Sequence, residues 1–199
     1  MNTCTRITGL AMLIVALMAS PALAQSPAEG HHDHDHDVAA DHVDDDEAFD
    51  QMVRGIHTIP DRQLVEERFP DIADRLVDRA TDQEATEFER WRATSMLGNF
   101  QKPHVQEALL ELTGDELTRV RAMAYFILGA AFLEEGEESV FETVEAGLED
   151  SESQVQKRVI RSFQYTDHGP AIELLQNIAK SHDDEELREV AEHTLNRRD

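Results

Sequence analysis

The sequence predicts an all-α fold: an α-α superhelix, or solenoid, of about three helical hairpins with a terminal capping helix, preceded by a disordered His/Asp-rich tail. Three observations carry this expectation. The first is internal repetition. Arg121, Ala124, Leu128 and Gly129 are matched thirty-one residues earlier by Arg90, Ala93, Leu97 and Gly98, and Arg188, Ala191 and Leu195 keep the same offsets near the end. The second is helical periodicity, with apolar residues three and four apart along each segment. The third is punctuation by Gly, Pro and capping residues at helix-length intervals. One hairpin cannot cover both its apolar faces, whereas stacked hairpins share a continuous core.

Residues 1–24 have the pattern of a secretory signal peptide. Arg6 gives the positive start, Leu10 to Met18 the apolar run, and Ala22-Leu23-Ala24 the cleavage site. The run falls short of the roughly 20 residues that span a bilayer, so no membrane attachment is expected after a cut following Ala24. The expected location is periplasmic or secreted. The single cysteine, Cys4, leaves with the signal, and the exported chain must then be held by its apolar core rather than by disulfides.

Residues 25–50 change composition abruptly: acidic, His-rich, and without Lys or Arg. Such a segment buries too little apolar surface to offset its ordering entropy, which predicts disorder. A short helix is expected from about Asp46, with Ala48, Phe49, Met52 and Val53 at helical spacing and a stop at Gly55.

The repeat domain is assigned to residues 51–199. Asp61 to Arg68 reads as a short helix, and Pro70 as the start of one carrying Ile72, Leu76 and Val77. Thr81-Asp82-Gln83-Glu84 has the form of a capping box. The helix behind it is expected to bury Phe88, Trp91 and Ser95 or Met96, with Gly98 in the left-handed closing position. Lys102-Pro103 opens a partner helix bearing Val105, Leu109, Leu110 and Leu112. Thr113-Gly114-Asp115 turns into the next hairpin, where Val120, Ala124, Ile127 and Leu128 share a face. An acidic turn at Glu134 to Glu138 leads to a helix with Val140, Phe141, Val144 and Leu148. Ser151-x-x-Gln154 suggests another capping box before Val155, Val159, Ile160 and Phe163. Asp167 to Pro170 breaks that helix, and Ile172, Leu174, Leu175 and Ile178 mark its partner. Asp183 or Asp184 caps a last helix with Leu187, Val190, Ala191 and Leu195, and its charged end, Asn196 to Asp199, suits a soluble solenoid terminus.

Residues 81–197 resemble HEAT repeats of the short bacterial type. The resemblance rests on the Arg-x-x-Ala-x-x-x-Leu-Gly runs at Arg90–Gly98 and Arg121–Gly129, and on Arg188, Ala191 and Leu195. A third copy departs from it, with Gln156, Val159, Phe163 and Gln164 in those places. The family places an acidic residue ahead of the arginine, and Glu84, Asp115 and Asp150 stand six residues before the matching positions. The resemblance implies helical hairpins whose arginine ties one repeat to the next. The iron-dependent HEAT-like hydroxylases use His-Glu pairs, whereas this chain has only the reverse order at Glu192-His193.

The unusual chemistry lies in the tail. His31, His32, Asp33, His34, Asp35, His36, Asp37 and His42 form the candidate metal set, in which five imidazoles mix with carboxylates. Neutral imidazole suits Zn, Ni, Co and Cu, and a flexible His-rich tract gives loose, multi-geometry binding. The absence of thiolate excludes a closed Cys-rich zinc site, and Val38 stands where a calcium loop requires Gly. His104 and His168, each beside a helix-starting Pro, could share an edge, with His57, His182 and His193 scattered. No Ser/His/Asp arrangement, phosphate loop or carboxylate pair suggests catalysis, so the expectation is a non-enzyme. The formal charge of −24 disfavours nucleic acid and anionic lipid and suits cations or a basic partner. Two functions follow. One is an interaction scaffold binding a protein or peptide along the second helices, about 103–112, 139–148 and 170–180. The other is metal binding or buffering by the tail.

Overall fold

A computed structural model describes residues 44–55, 61–133 and 138–198. They form an all-α, solenoid-like array with no strand among them. The helices are α1 (Asp45–Arg54), α2 (Arg62–Arg68), α3 (Ile72–Thr81), α4 (Glu87–Leu97), α5 (Pro103–Leu112), α6 (Thr118–Ala131), α7 (Glu138–Ala146), α8 (Ser153–Ser162), α9 (Gly169–Ser181) and α10 (Glu185–Leu195), with 3-10 turns at Gly147–Glu149 and Phe163–Tyr165. The expected units α4/α5, α6/α7 and α8/α9, followed by α10, are present as consecutive helices, but the side-by-side packing falls on α3/α4, α5/α6, α6/α7 and α9/α10 rather than on α4/α5 or α8/α9. The signal-peptide and metal-tract expectations lie outside the described residues. No helix of the described residues is long and apolar enough to cross a membrane.

The array is organised by its first helices. Helix α4 packs on α6, α6 on α8, and α8 on α10, so these four form one continuous row. The second helices pack chiefly onto first helices: α5 against α6 and α3, α7 against α6, and α9 against α10. Small residues allow the close spacing. Ala93, Ala124 and Ala191 are fully buried, as the repeat offsets suggested. The α6–α8 approach is closer still, because Gly129 lies directly against Ser162.

Helix α1 extends the core beyond the expected boundary. It begins at Asp45, inside the segment assigned to the tail, and buries Phe49 and Val53 against the array. Three arginine contacts fix it. Arg75 pairs with Asp46, Arg79 donates to Asp50 Oδ1 at 2.6 Å, and Arg75 stacks 4.6 Å above the Phe49 ring.

Several local expectations are corrected. Thr81 is the last residue of α3 and donates to Val77 O at 2.9 Å, so it caps nothing. The capping box lies five residues on, at Thr86 and Glu89. Ser151 does not cap α8 either; Asp150 Oδ1 takes the Glu152 N–H at 2.9 Å instead. Gly98 is right-handed, at φ −59°, so it serves no left-handed closure. Pro70 sits in a turn before α3 rather than at its first position. Phe88, Trp91 and Ser95 are only half-buried, while Met96 and Arg90 are buried. The reason is that α4 is packed by α1, α3 and α6, so it has no single apolar stripe. At the other end Arg198 is not merely a solubilising charge. It donates to Phe163 O and, at 2.6 Å, to Thr166 O, fastening the terminus to the 3-10 turn behind α8.

The α4 cap carries a pH dependence. Glu89 Oε2 accepts from Thr86 N at 3.0 Å and Thr86 Oγ1 at 2.8 Å, while Oε1 accepts from Arg54 Nε at 2.7 Å. Arg54 foremost, and then Thr86, hold the Glu89 carboxyl down to about 2 from its ordinary 4.5. A folded-state value below the unfolded one gives stability that is full above the unfolded value and is lost as pH falls through the folded one. Thermal melts should therefore drop as pH falls from about 5 toward 2. Glu89→Gln should melt lower at pH 7 and show a shallower acid decline; a decline as steep as wild type would remove Glu89 from the explanation.

Candidate interaction surface

The role of the repeated arginine decides what remains for binding. Arg90 Nη2 pairs with Asp115 of the next unit, and Arg121 does the same with Asp150, Nε to Oδ2 at 2.7 Å and Nη2 to Oδ1 at 3.2 Å. Arg121 also donates to Asp115 O at 2.6 Å, six residues back, and Gln156 donates to Asp150 O at 2.8 Å across the same interval. Arg188 repeats that backbone tie to His182 O. The unit is thus a side chain that closes the turn ahead of its helix and, at Arg90 and Arg121, also reaches forward to the next unit's Asp. Gln156 is too short and uncharged for the second bond; the α8–α10 link is made instead by Lys157 and Glu186. The arginine–aspartate pairing also holds the Asp150 carboxyl below its usual range, chiefly through the Arg121 hydrogen bond. These residues are scaffold.

Among the described residues the scattered histidines do not assemble. His104 lies 3.3 Å from Asp74 of α3, and the His168 ring packs 5.0 Å from Phe141 of α7, so the two have different neighbours. His182 Nδ1 accepts from Asp184 N at 3.1 Å, and His193 is exposed on α10. Asp184 caps α10 by accepting from Glu186 N and Leu187 N. His57 and the acidic turn at 134–137 lie outside the described residues, as do His31, His32, Asp33, His34, Asp35, His36, Asp37 and His42. Among the described residues no group of three or more His, Cys, Asp or Glu is disposed to hold a metal.

A cleft of about 440 Å³ opens between α1 and α3, lined by Asp46, Phe49, Asp50, Arg75, Asp78, Arg79 and Asp82. Its two arginines are already engaged with Asp46, Asp50 and the Phe49 ring. It is the joint that holds α1, and its four aspartates outnumber its two arginines.

The second helices present mainly carboxylates outward: Glu107 and Glu111 on α5, Glu142 and Glu145 on α7, Glu173 on α9. The first-helix row is different. Trp91 of α4 is half-buried with the Arg119 guanidinium of α6 stacked 4.1 Å from its ring centre. Phe88 lies 5.9 Å from Trp91. Phe126 of α6 lies beneath Arg158 of α8 at 5.6 Å and meets the Tyr165 ring edge-on at 5.8 Å. Tyr165 is one of the few large apolar side chains left exposed, at 40%. Burial, with Arg161 and Arg119 nearby, pushes the Arg158 guanidinium below its ordinary value. Sequence reasoning assigned Trp91 to the core and passed over Arg119, Arg158 and Arg161. The available signal was positional, since Trp91 follows Arg90 and Arg119 precedes Arg121 by two, which places them on adjoining helices of one row.

No family model matches the chain, and no curated protein matches it.

Proposed function

We propose that this chain is an exported, non-enzymatic HEAT-like repeat scaffold that binds a protein or peptide partner along its helical surface. One observation carries the reading. The first-helix row holds half-buried and exposed aromatic rings across three successive units, and Arg119 and Arg158 lie over those rings rather than being spent on the ladder of Arg90 and Arg121. Aromatic and arginine side chains are the residues that most often anchor protein interfaces. A solenoid with its core closed by neighbours has little other need for rings at the surface. Export rests on the signal-like residues 1–24.

Affinity capture from the exported fraction, followed by cross-link mapping, tests this. The expected result is one reproducibly recovered protein whose cross-links fall on the repeat surface and whose recovery drops in a Tyr165→Ala variant. Recovery of nothing above a bead control, by wild type and variant alike, would overturn it.

A further inference from the structure

We propose that Arg119, Arg158 and Arg161, set among Trp91, Phe126 and Tyr165, form a seat for an acidic peptide segment that also carries apolar side chains. The proposal rests on the scaffold reading above and specifies the chemistry of the partner.

The chain has 42 acidic residues against 18 Lys and Arg, so a surface arginine has many carboxylates within reach. Arg54, Arg75, Arg79, Arg90 and Arg121 are each bonded to one. Arg119, Arg158 and Arg161 are bonded to no carboxylate of the described residues, and they stand close enough for the other two to depress Arg158. Like charges held together in a strongly acidic protein cost free energy, and an anion placed among them relieves that cost. The net charge directs expectation toward basic partners; this face carries the opposite local sign.

The stacking geometry gives the anion its docking edge. A guanidinium lying flat on a ring keeps its in-plane N–H donors pointed outward, where they match a carboxylate two at a time. Arg119 sits over the Trp91 ring at 4.1 Å from its centre and Arg158 over the Phe126 ring at 5.6 Å, and neither guanidinium spends its donors on a carboxylate of the described residues. The rings supply the second half of recognition, with the exposed Tyr165 and half-buried Phe126 and Trp91 offering apolar contact beside the cations. Contributions from α4, α6 and α8 make the seat longer than one small anion, which favours a chain crossing the helices. Nucleic acid fits poorly, because its continuous phosphate charge would meet the acidic remainder of the molecule. A short acidic segment concentrates its charge on the seat.

Trp91 is the only tryptophan in the sequence, so its emission reports directly on the seat. The full chain would be titrated with three probes: a short synthetic peptide of Glu and Asp with Phe and Leu, its charge-reversed Lys counterpart, and an oligothymidylate. The expected result is a saturable change in Trp91 emission with the acidic peptide alone, weakening as salt rises. Arg161→Gln, an exposed position, should raise the apparent Kd at least tenfold with unchanged helical circular dichroism, and Arg158→Gln should do so if it folds equally well. No saturable change with the acidic peptide, an equal response to the Lys peptide, binding of the oligothymidylate in its place, or a wild-type Kd in Arg161→Gln would each overturn the seat. If the cross-linked partner persists while the acidic peptide fails, the scaffold reading stands and only the seat is lost.

Discussion

Arg90→Ala is expected to destabilise the array by about 3–5 kcal/mol, the range found when one member of a buried ion pair is removed. For a domain of this size that corresponds to a fall in melting temperature of roughly 6–20 °C. Arg90 is 1% exposed and serves three groups: Ala80 O at 3.0 Å, Gln83 Oε1 at 3.4 Å, and the carboxylate of Asp115. The Asp115 side chain is itself only 6% exposed, and its remaining bond is from Leu117 N at 2.9 Å. Alanine therefore leaves a carboxylate out of water with its charge uncompensated, and a carbonyl without its donor. That penalty, more than the lost attraction, sets the size of the effect. Adding Asp115→Ala to Arg90→Ala should recover part of the loss, because the stranded charge goes with it. Denaturant melts of the two single variants and the double give the coupling directly. A loss below about 1 kcal/mol for Arg90→Ala, the level of an exposed pair, would show that the ladder does not hold the repeats together. Arg121→Ala should cost less, since Arg121 and Asp150 retain 15% and 11% exposure and keep more of their hydration.

The repeat and its arginine were legible because they are properties of offset, and offsets survive folding. The same holds for Lys102-Pro103 opening α5 and Asp184 capping α10, where the residue's own geometry creates the terminus. The capping boxes were less secure. Thr81–Glu84 and Thr86–Glu89 both satisfy the motif, and the choice is made by tertiary contacts: Arg90 grips Ala80 O, α3 runs on to Thr81, and Arg54 arrives to share Glu89. Burial on α4 failed for a related reason. A helix enclosed by α1, α3 and α6 has no preferred apolar stripe, so buried Arg90 and Thr94 break the pattern from which burial was read. The first-helix face was hidden by arithmetic on the whole chain. A net charge of −24 is an average, and three arginines from two helices meet only after the units stack. The metal expectation at His31 to His42 depends on composition, and composition carries no geometry.

Gly129→Val should be the other severe substitution, and Gly129→Ala a milder form of it. On helix propensity alone Ala would stabilise α6 by about 1 kcal/mol over Gly. Packing opposes this. A Cβ built at Gly129 runs into Ser162 Oγ and comes to 2.7 Å from Ser162 Cβ, with Val144 Cγ1 at 3.4 Å. Ser162 is fully buried on α8 and donates to Val159 O at 2.6 Å, so its hydroxyl cannot rotate away without losing a partner. The Cβ clash is independent of rotamer, which means the helix axes themselves must separate. Overpacking of a close helix crossing costs typically 1–3 kcal/mol, so Gly129→Ala is expected to be net destabilising by about 1–2 kcal/mol, and Gly129→Val by about 3 kcal/mol or more. The α6–α8 junction is the central contact of the row, and opening it also loosens Gly147, whose Cβ would lie 2.8 Å from Tyr125 Cε1 and Val159 Cγ2. A second substitution separates packing from propensity. Ser162→Gly removes both atoms that Gly129→Ala meets, so the pair should be more stable than the sum of the two single losses predicts. Additive losses within about 0.5 kcal/mol would mean that the two helices do not touch here.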